Sequence, residues 1–241
     1  MIELFKCLMI TSLILTHPLE QLSLDNYNLQ DQPSVFFNES YYIAPGSGII
    51  NSIIENNGFF QVNLLLDDCN EVIYSGLTEV VKSTGDRVIL GEPIGIDNTI
   101  STETKIIFMV YNASVLFPQF IENRLTFLLD RDTLLYMVSD GIVVYDDYDN
   151  SLFLRGLYIQ IKLLELNAYI EYWHLSRILT RPYEYKKQGE LIAYSGNTGA
   201  SLEPKLVLHF EGDELGNDIR VIYLKPVMSD NVRINGQGLL P

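Results

Sequence analysis

Apolar residues along this chain come in short runs rather than in long stripes. KIIFMVY from Lys105, the stretch Ala168–Leu175 and KLVLHFE from Lys205 are typical, each rich in Ile, Val, Leu, Tyr or Phe. Turn formers break up the runs: APGSG, ENNG, DDCN, STGD, DDYDN and GNTG. β-Branched and aromatic residues suit a pleated, half-buried surface, and Gly, Asn and Asp supply the tight connections between strands. No segment keeps a 3.6-residue apolar period over a helical length. The pattern predicts an all-β protein, a sandwich or a barrel.

The runs also recur. Gly48-Ile49-Ile50, Tyr74-Ser75-Gly76-Leu77, Gly91-Glu92-Pro93-Ile94-Gly95 and KIIFMVY come in one order. Gly141-Ile142-Val143, Tyr172-Trp173-His174-Leu175, Gly189-Glu190-Leu191-Ile192-Ala193 and KLVLHFE repeat it. Tyr74 to Gly91 and Tyr172 to Gly189 are the same interval, 17 positions. Matching order with an identical spacing predicts a duplicated structural unit. Shared turn vocabulary among all-β chains is the competing explanation. Gly91 and Gly189 end equivalent strand–turn–strand units, where a positive φ or a close backbone passage excludes side chains.

The ends of the chain read differently. MIELFKCLMITSLILTHPLEQ places Lys6 before an apolar run from Cys7 to Leu15. The run is too short for a mature membrane-spanning helix and suits a secretory signal, or an anchor if uncleaved. A buried N-terminal strand or helix is the alternative. The expected division is a signal or anchor over 1–19, a polar leader over 20–40, a first β-unit over 41–112, a second over 113–228 and a tail over 229–241.

Charge narrows the partners. Sixteen basic and thirty-one acidic residues give a net charge of −15. Phosphate backbones need clustered Lys and Arg, so nucleic acid is excluded as a partner, and anionic lipid heads would repel the surface. Membrane contact is expected only through an uncleaved N-terminal segment. The two cysteines are Cys7 and Cys69, and loss of the leader would leave Cys69 without an intrachain partner, so disulfides are not expected in the fold.

Four passages carry a resemblance: Asp140-Gly141-Ile142-Val143, Tyr172-Trp173-His174-Leu175-Ser176, the run from Lys187 to Gly199 ending in Gly-Asn-Thr-Gly, and Leu206-Val207-Leu208-His209-Phe210-Glu211. In this order they make the stretch from about Leu125 to Glu211 resemble the lysostaphin-type (LytM-like) zinc metalloendopeptidases, which cut peptidoglycan cross-bridges. The resemblance implies two related β-hybrid (barrel-sandwich) units, the second being the peptidase-like antiparallel sheet domain.

It also implies a site. In that family a His-x-x-x-Asp motif and the second His of a His-x-His strand hold zinc. The first His of that strand and the His of a Tyr-x-His-Leu strand assist the bound water and the oxyanion. Counting back from Asp140-Gly141 puts the His-x-x-x-Asp positions on Glu122 and Thr126. The His-x-His positions are Val207 and His209, and the Tyr-x-His position is His174. Only a vestigial catalytic His174 and a vestigial metal ligand His209 remain. In the first unit Gly76, Ile107 and Met109 are expected at the positions of His174, Val207 and His209.

A catalytic zinc ion normally takes three protein ligands and keeps one position for water. One inherited ligand does not hold it, so no cofactor is expected. Glu122 with His174 and His209 would be a makeshift His₂Glu set. The leading expectation is therefore a non-catalytic, exported envelope protein, in the periplasm or cell envelope. It would bind peptidoglycan or an envelope protein partner, or regulate or scaffold a cell-wall hydrolase, through a groove with Tyr172, Trp173, His174, Tyr194 and His209. The alternative is a residual zinc endopeptidase, the only reading in which zinc is a cofactor. A biotinyl- or lipoyl-carrier role is a third class, but neither unit shows a carrier-type lysine hairpin.

Bland readings stand beside these. His174 would share a strand face with Ile170 and Tyr172 and bond a tyrosine hydroxyl, with His209 doing the same in the groove floor. His17 carries no functional role. The aromatics around the groove would fill a β-core. Arg177, Arg181, Lys186 and Lys187 mark a basic loop that would touch acidic peptides or simply be solvated.

Overall fold

The computed structural model describes residues 12–19, 37–38, 41–67, 70–99, 105–110, 119–121, 123–148, 154–164, 167–212 and 219–226. Cys7, Cys69, Glu122, most of the polar leader and the 229–241 tail lie outside them. Among the described residues every regular element is a strand, as the short β-rich runs require. No helix among them is long and apolar enough to cross a membrane.

One sheet runs β1 (Ser12–Thr16), β10 (Lys105–Val110), β20 (Ile219–Pro226), β6 (Asn70–Leu77), β5 (Phe59–Leu66), β4 (Gly48–Asn56) and β8 (Arg87–Val88). A small sheet of β2 (Phe37–Asn38), β3 (Tyr41–Ile43), β9 (Pro93–Ile96) and β7 (Glu79–Val80) accompanies it. The two share a core of Tyr42, Ile50, Val62, Leu64, Val72, Tyr74, Leu77 and Ile94. The other large sheet runs β11 (Gln119–Ile121), β12 (Arg124–Leu128), β19 (Lys205–Glu211), β16 (Tyr169–Ile178), β15 (Leu157–Leu163), β14 (Gly141–Tyr148) and β17 (Tyr185–Lys186). Branching from the C-terminal part of β16, in the middle of this path, β18 (Leu191–Ser195) pairs β16 and also β13 (Leu134–Tyr136).

The duplication extends to the irregularities. The β4–β5 register slips between Ile50 and Ser52, and the β14–β15 register slips between Val143 and Tyr145, two residues after the equivalent Gly48 and Gly141. The next pairs slip at matching places, Phe60/Val62 and Leu157/Ile159. A buried tyrosine then ties each sheet to the short strand outside it. Tyr74 donates to the Ile43 carbonyl at 2.9 Å and Tyr172 to the Tyr136 carbonyl at 3.1 Å. Burial raises the pKa of both phenols, so both stay donors. Gly91 and Gly189 have φ of 82° and 79°, the left-handed conformation expected of both.

Long-range pairing corrects two expectations. β20 inserts between β10 and β6, so residues 219–226 complete the first sheet although they follow the second unit in sequence. KIIFMVY is therefore not the neighbour of β6. Residues Leu15, Met109, Tyr223, Ile73 and Asn63 form one register row across the first sheet. The matching row in the second is Ile121, Arg124, His209, Glu171 and Gln160. Met109 thus corresponds to Arg124, and the position of His209 falls to Tyr223.

The two rows serve opposite ends. Leu15, Ile73 and Met109 are fully buried in one cluster with the core of the second unit, including Leu125, Phe127, Tyr172 and Phe210. The N-terminal segment closes the joint: Leu15 enters the core, and the His17 ring meets Phe127 edge-on at 5.2 Å. The Tyr136 amide donates to the Pro18 carbonyl at 2.6 Å. An apolar run that suits a signal also suits an edge strand, and Ser12–Thr16 is placed as one.

Burial lowers the pKa of His17 to about 3. Below its unfolded value near 6.5 the unfolded chain binds a proton that the folded chain refuses. The penalty is absent above that pH and grows as pH falls toward 3. Replacing His17 by Leu should flatten the pH dependence of urea-unfolding free energy between pH 6 and 4 by about 1.4 kcal/mol per pH unit. An unchanged slope would show that His17 is not buried as described.

Candidate functional site

The second sheet has an apolar and a polar face. Strict alternation along β19 sends Leu206, Leu208 and Phe210 into the core and leaves Val207, His209 and Glu211 on the other side. On β12, Leu125 and Phe127 point inward, which turns Arg124 and Thr126 outward. On β16, Ile170 and Tyr172 are core residues, so Glu171 and Trp173 join the polar face.

Glu171 is the centre of that face, and its side chain is fully buried. Its Oε1 accepts from Arg155 Nη1 at 2.9 Å and from Gln160 Nε2 at 3.1 Å. Its Oε2 accepts from Trp173 Nε1 at 2.8 Å and pairs with His209 Nδ1 at 3.1 Å. Burial raises its pKa, but hydrogen bonds from His209 and Trp173 and the Arg155 charge outweigh this and hold the carboxyl below its usual value. The carboxylate is thus ionised at neutral pH and only accepts, so His209 Nδ1 carries the proton. Around it, Arg124 lies 5.3 Å and Arg155 5.8 Å from the Trp173 ring centroid, and the His209 ring lies 5.1 Å away.

His174 is next to this cluster but not part of it. The register slip opposite Leu157 and Ile159 places Trp173 and His174 in a bulge, which returns Leu175, not His174, to the core. The expected tyrosine partner is therefore wrong: the Tyr172 hydroxyl bonds Tyr136 and Val138, while His174 Nδ1 donates to the Thr198 carbonyl at 2.8 Å. His174 has a φ of 64°, and its equivalent Gly76 has 82°. A histidine here bears a backbone cost of about 1–2 kcal/mol that glycine avoids. Burial lowers the His174 pKa, with the Thr198 carbonyl partly opposing, so the ring is neutral at pH 7.

Of the expected groove residues, Trp173 and His209 come together, with His174 bordering them 6.3 Å from the Trp173 ring. Tyr172 belongs to the core instead. Tyr194 lies on β18 beside Arg177, whose guanidinium is 5.9 Å from its ring. His209 also pairs with a carboxylate rather than the tyrosine expected for it. Arg124, Arg155, Gln160, Glu171 and Glu211 were not anticipated. A lone Glu between Ile170 and Tyr172 was the available signal, since an acid in a buried strand needs partners.

A metal ion is implied by the resemblance, and the residues can be tested for it. Among the described residues, ligand atoms of Glu171, His209 and Glu211 lie within 4.8 Å of one another. Both Glu171 oxygens, however, already accept two hydrogen bonds each, one from His209 itself. Thr126 and Val207, expected where the family has Asp and His, offer a hydroxyl and a methyl pair, and Glu122 lies outside the described residues. This arrangement does not fit zinc without dismantling the Glu171 network. Truncating Glu171 to Ala should lower the unfolding free energy by about 3–5 kcal/mol, because Arg155 and His209 lose their common partner. Arg155→Ala should cost less, since it removes one of four donors; urea titration of both variants decides, and a near-neutral Glu171→Ala would contradict the burial.

Residues 122–220 match the family model described as peptidase family M23. Similar solved structures include the catalytic domain of the antimicrobial peptidase lysostaphin from Staphylococcus simulans, with 24% identity, 43% of this chain and 79% of that chain covered, and a TM-score of 0.37. Lysostaphin itself aligns at 23% identity over 44% of this chain and 45% of its own, with a TM-score of 0.38. A zinc containing peptidase from Vibrio cholerae aligns at 17% identity over 68% and 47%, with a TM-score of 0.36. The chain spans less than half the length of either of these last two proteins. The match to peptidase family M23 thus falls on residues 122–220, which supply most strands of the second sheet and the face built around Glu171 and His209.

Proposed function

We propose that the chain is a non-catalytic relative of the peptidoglycan peptidases, exported to the cell envelope, where the polar face of its second sheet binds a wall peptide or a segment of an envelope protein. The observation that carries this reading is the fate of the inherited histidine. His209 gives Nδ1 to a buried carboxylate that Arg155, Gln160 and Trp173 already saturate. Two guanidiniums and an indole stand beside it, where a hydrolase would need further metal ligands.

Each group then has a holding role. Glu171 fixes the Trp173 indole and the His209 ring from below. Trp173 supports Arg124 and Arg155 at its ring. His174, through Thr198, ties the Gly-Asn-Thr-Gly loop to the edge of the face. Rigid placement of polar groups on strands serves recognition without any need for an activated water. Regulation or scaffolding of a cell-wall hydrolase is the envelope role that fits such a surface.

A residual zinc endopeptidase is the second reading, favoured by the proximity of Glu171, His209 and Glu211. Zinc, when bound, supplies a water acidified to a pKa of about 7. Elemental analysis of protein purified without chelators separates the two. The proposal expects well under one equivalent of zinc, no release of muropeptides from purified sacculi, and co-sedimentation with sacculi or capture of an envelope partner. Stoichiometric zinc lost in His209→Ala, together with murein cleavage, would overturn it.

A further inference from the structure

The duplicated frame supplies an internal control for the turn that leads into β17. Ser83-Thr84-Gly85-Asp86 in the first unit and Arg181-Pro182-Tyr183-Glu184 in the second are equivalent turns, since Gly85 and Tyr183 each lie 11 positions after the buried tyrosine. The Gly85 amide donates to the Ile50 carbonyl at 2.8 Å, and the Tyr183 amide donates to the Val143 carbonyl at 2.6 Å. An acid closes each turn in the same way. Asp86 accepts from the Ser83 amide at 2.7 Å, and Glu184 accepts from the Arg181 amide at 3.0 Å. Gly85 and Tyr183 are both left-handed, with φ of 91° and 68°.

The turns differ in what stands on that backbone. A Cβ added at Gly85 would meet nothing within 4 Å, so the position opens to solvent. Glycine adopts this conformation freely, whereas a bulky side chain bears a steric cost there. Tyr183 bears that cost while 85% exposed. A strained residue that packs so little gives the fold no return for its strain, and strain of this kind gathers at functional sites.

We infer that this turn is a docking site for an acidic, extended segment of a partner protein, with Tyr183 as its anchor and Arg181 as the group that takes a carboxylate. The site is a different surface from the face around Glu171 and does not depend on the function proposed for that face.

Shape and charge select the occupant. Leu179, Arg181, Pro182, Tyr183 and Glu184 line an open cleft of about 550 Å³, room for a few residues of chain. Residues 177–190 hold four basic and two acidic side chains, a positive surplus in a chain of net charge −15. Both acids are engaged inside the loop. Glu184 pairs with Lys186 at 2.8 Å and holds the Arg181 amide, and Glu190 accepts from the Lys187 amide at 2.9 Å. Arg177, Arg181 and Lys187 are exposed. A guanidinium takes a carboxylate through two parallel N–H groups, and Tyr and Arg are among the residues that dominate protein interfaces. A basic segment would be drawn to most of this acidic surface, so an acidic one is what singles out this turn. A neutral sugar would stack on the ring but leave the surplus charge unused.

Two measurements on the full chain test this. Restoring glycine in Tyr183→Gly should keep or raise the midpoint of urea unfolding, because it relieves the left-handed strain. A fall in the midpoint would show that the tyrosine serves the fold and would overturn the inference. Short random peptides displayed on phage are then panned against the natural chain. The recovered peptides should carry several Asp or Glu around an apolar residue, and their affinity should fall as salt rises. Tyr183→Gly and Arg181→Gln should each bind them about ten-fold more weakly or worse. Loss of binding with stability kept is a result that a purely structural tyrosine does not give. No enriched peptide, enrichment of neutral or basic sequences, or undiminished binding by Tyr183→Gly would overturn the inference. Calorimetric binding of chitotetraose that disappears in Tyr183→Gly would make the turn a sugar platform and would overturn it as well.

Discussion

A carboxylate withdrawn from water must find donors for its lone pairs, or the free energy of its ionised form becomes prohibitive. Glu171 meets that demand with four donors from three strands and a loop, and the demand organises the polar face. Gln160 comes from β15, Trp173 from the same strand as Glu171, His209 from β19, and Arg155 from the segment just before β15. Arg124 then packs on Trp173 from β12. Removing the carboxylate strands its partners, whereas removing a single partner leaves the others in place.

The duplicated scaffold shows how much of this is choice of side chain rather than of backbone. The two units share the order of four strands, β6-β5-β4-β8 and β16-β15-β14-β17, two register slips, a buried tyrosine bonded to the same neighbouring strand, and a left-handed residue after it. At matching positions of one row the first unit has Ile73 and Met109 and the second has Glu171 and Arg124. The apolar row joins the common core, and the polar row faces outward. The same β-frame therefore makes an internal joint in one copy and a polar outer face in the other.

Much of the frame was legible because period-2 alternation, turn residues and spacing are local. The strands, the repeat and the left-handed Gly91 and Gly189 followed from such signals. So did the nearness of Trp173 and His209, since strand register links them once the motifs are matched. What escaped was non-local or irregular. β20 crosses back to the first sheet, and no local pattern announces a partner that distant. His174 was placed on the core face by strict alternation, and one bulge sufficed to turn it toward Thr198. The apolar residues of Ser12–Thr16 meet the requirements of a leader and of an edge strand equally, so composition alone does not separate those roles. Glu171 was passed over because its meaning lies in cross-strand partners and not in its own neighbours.

The central claim is that Glu171 and its donors occupy the place a hydrolase gives to its metal. Because Trp173 is the single tryptophan, its indole N–H gives one resonance in a nitrogen–proton NMR spectrum, and that proton is donated to Glu171. The account predicts a slowly exchanging indole resonance that keeps its position and protection when one equivalent of zinc is added. A zinc-dependent shift with loss of protection would mean that Glu171 surrenders its donors to a metal, and would contradict the account.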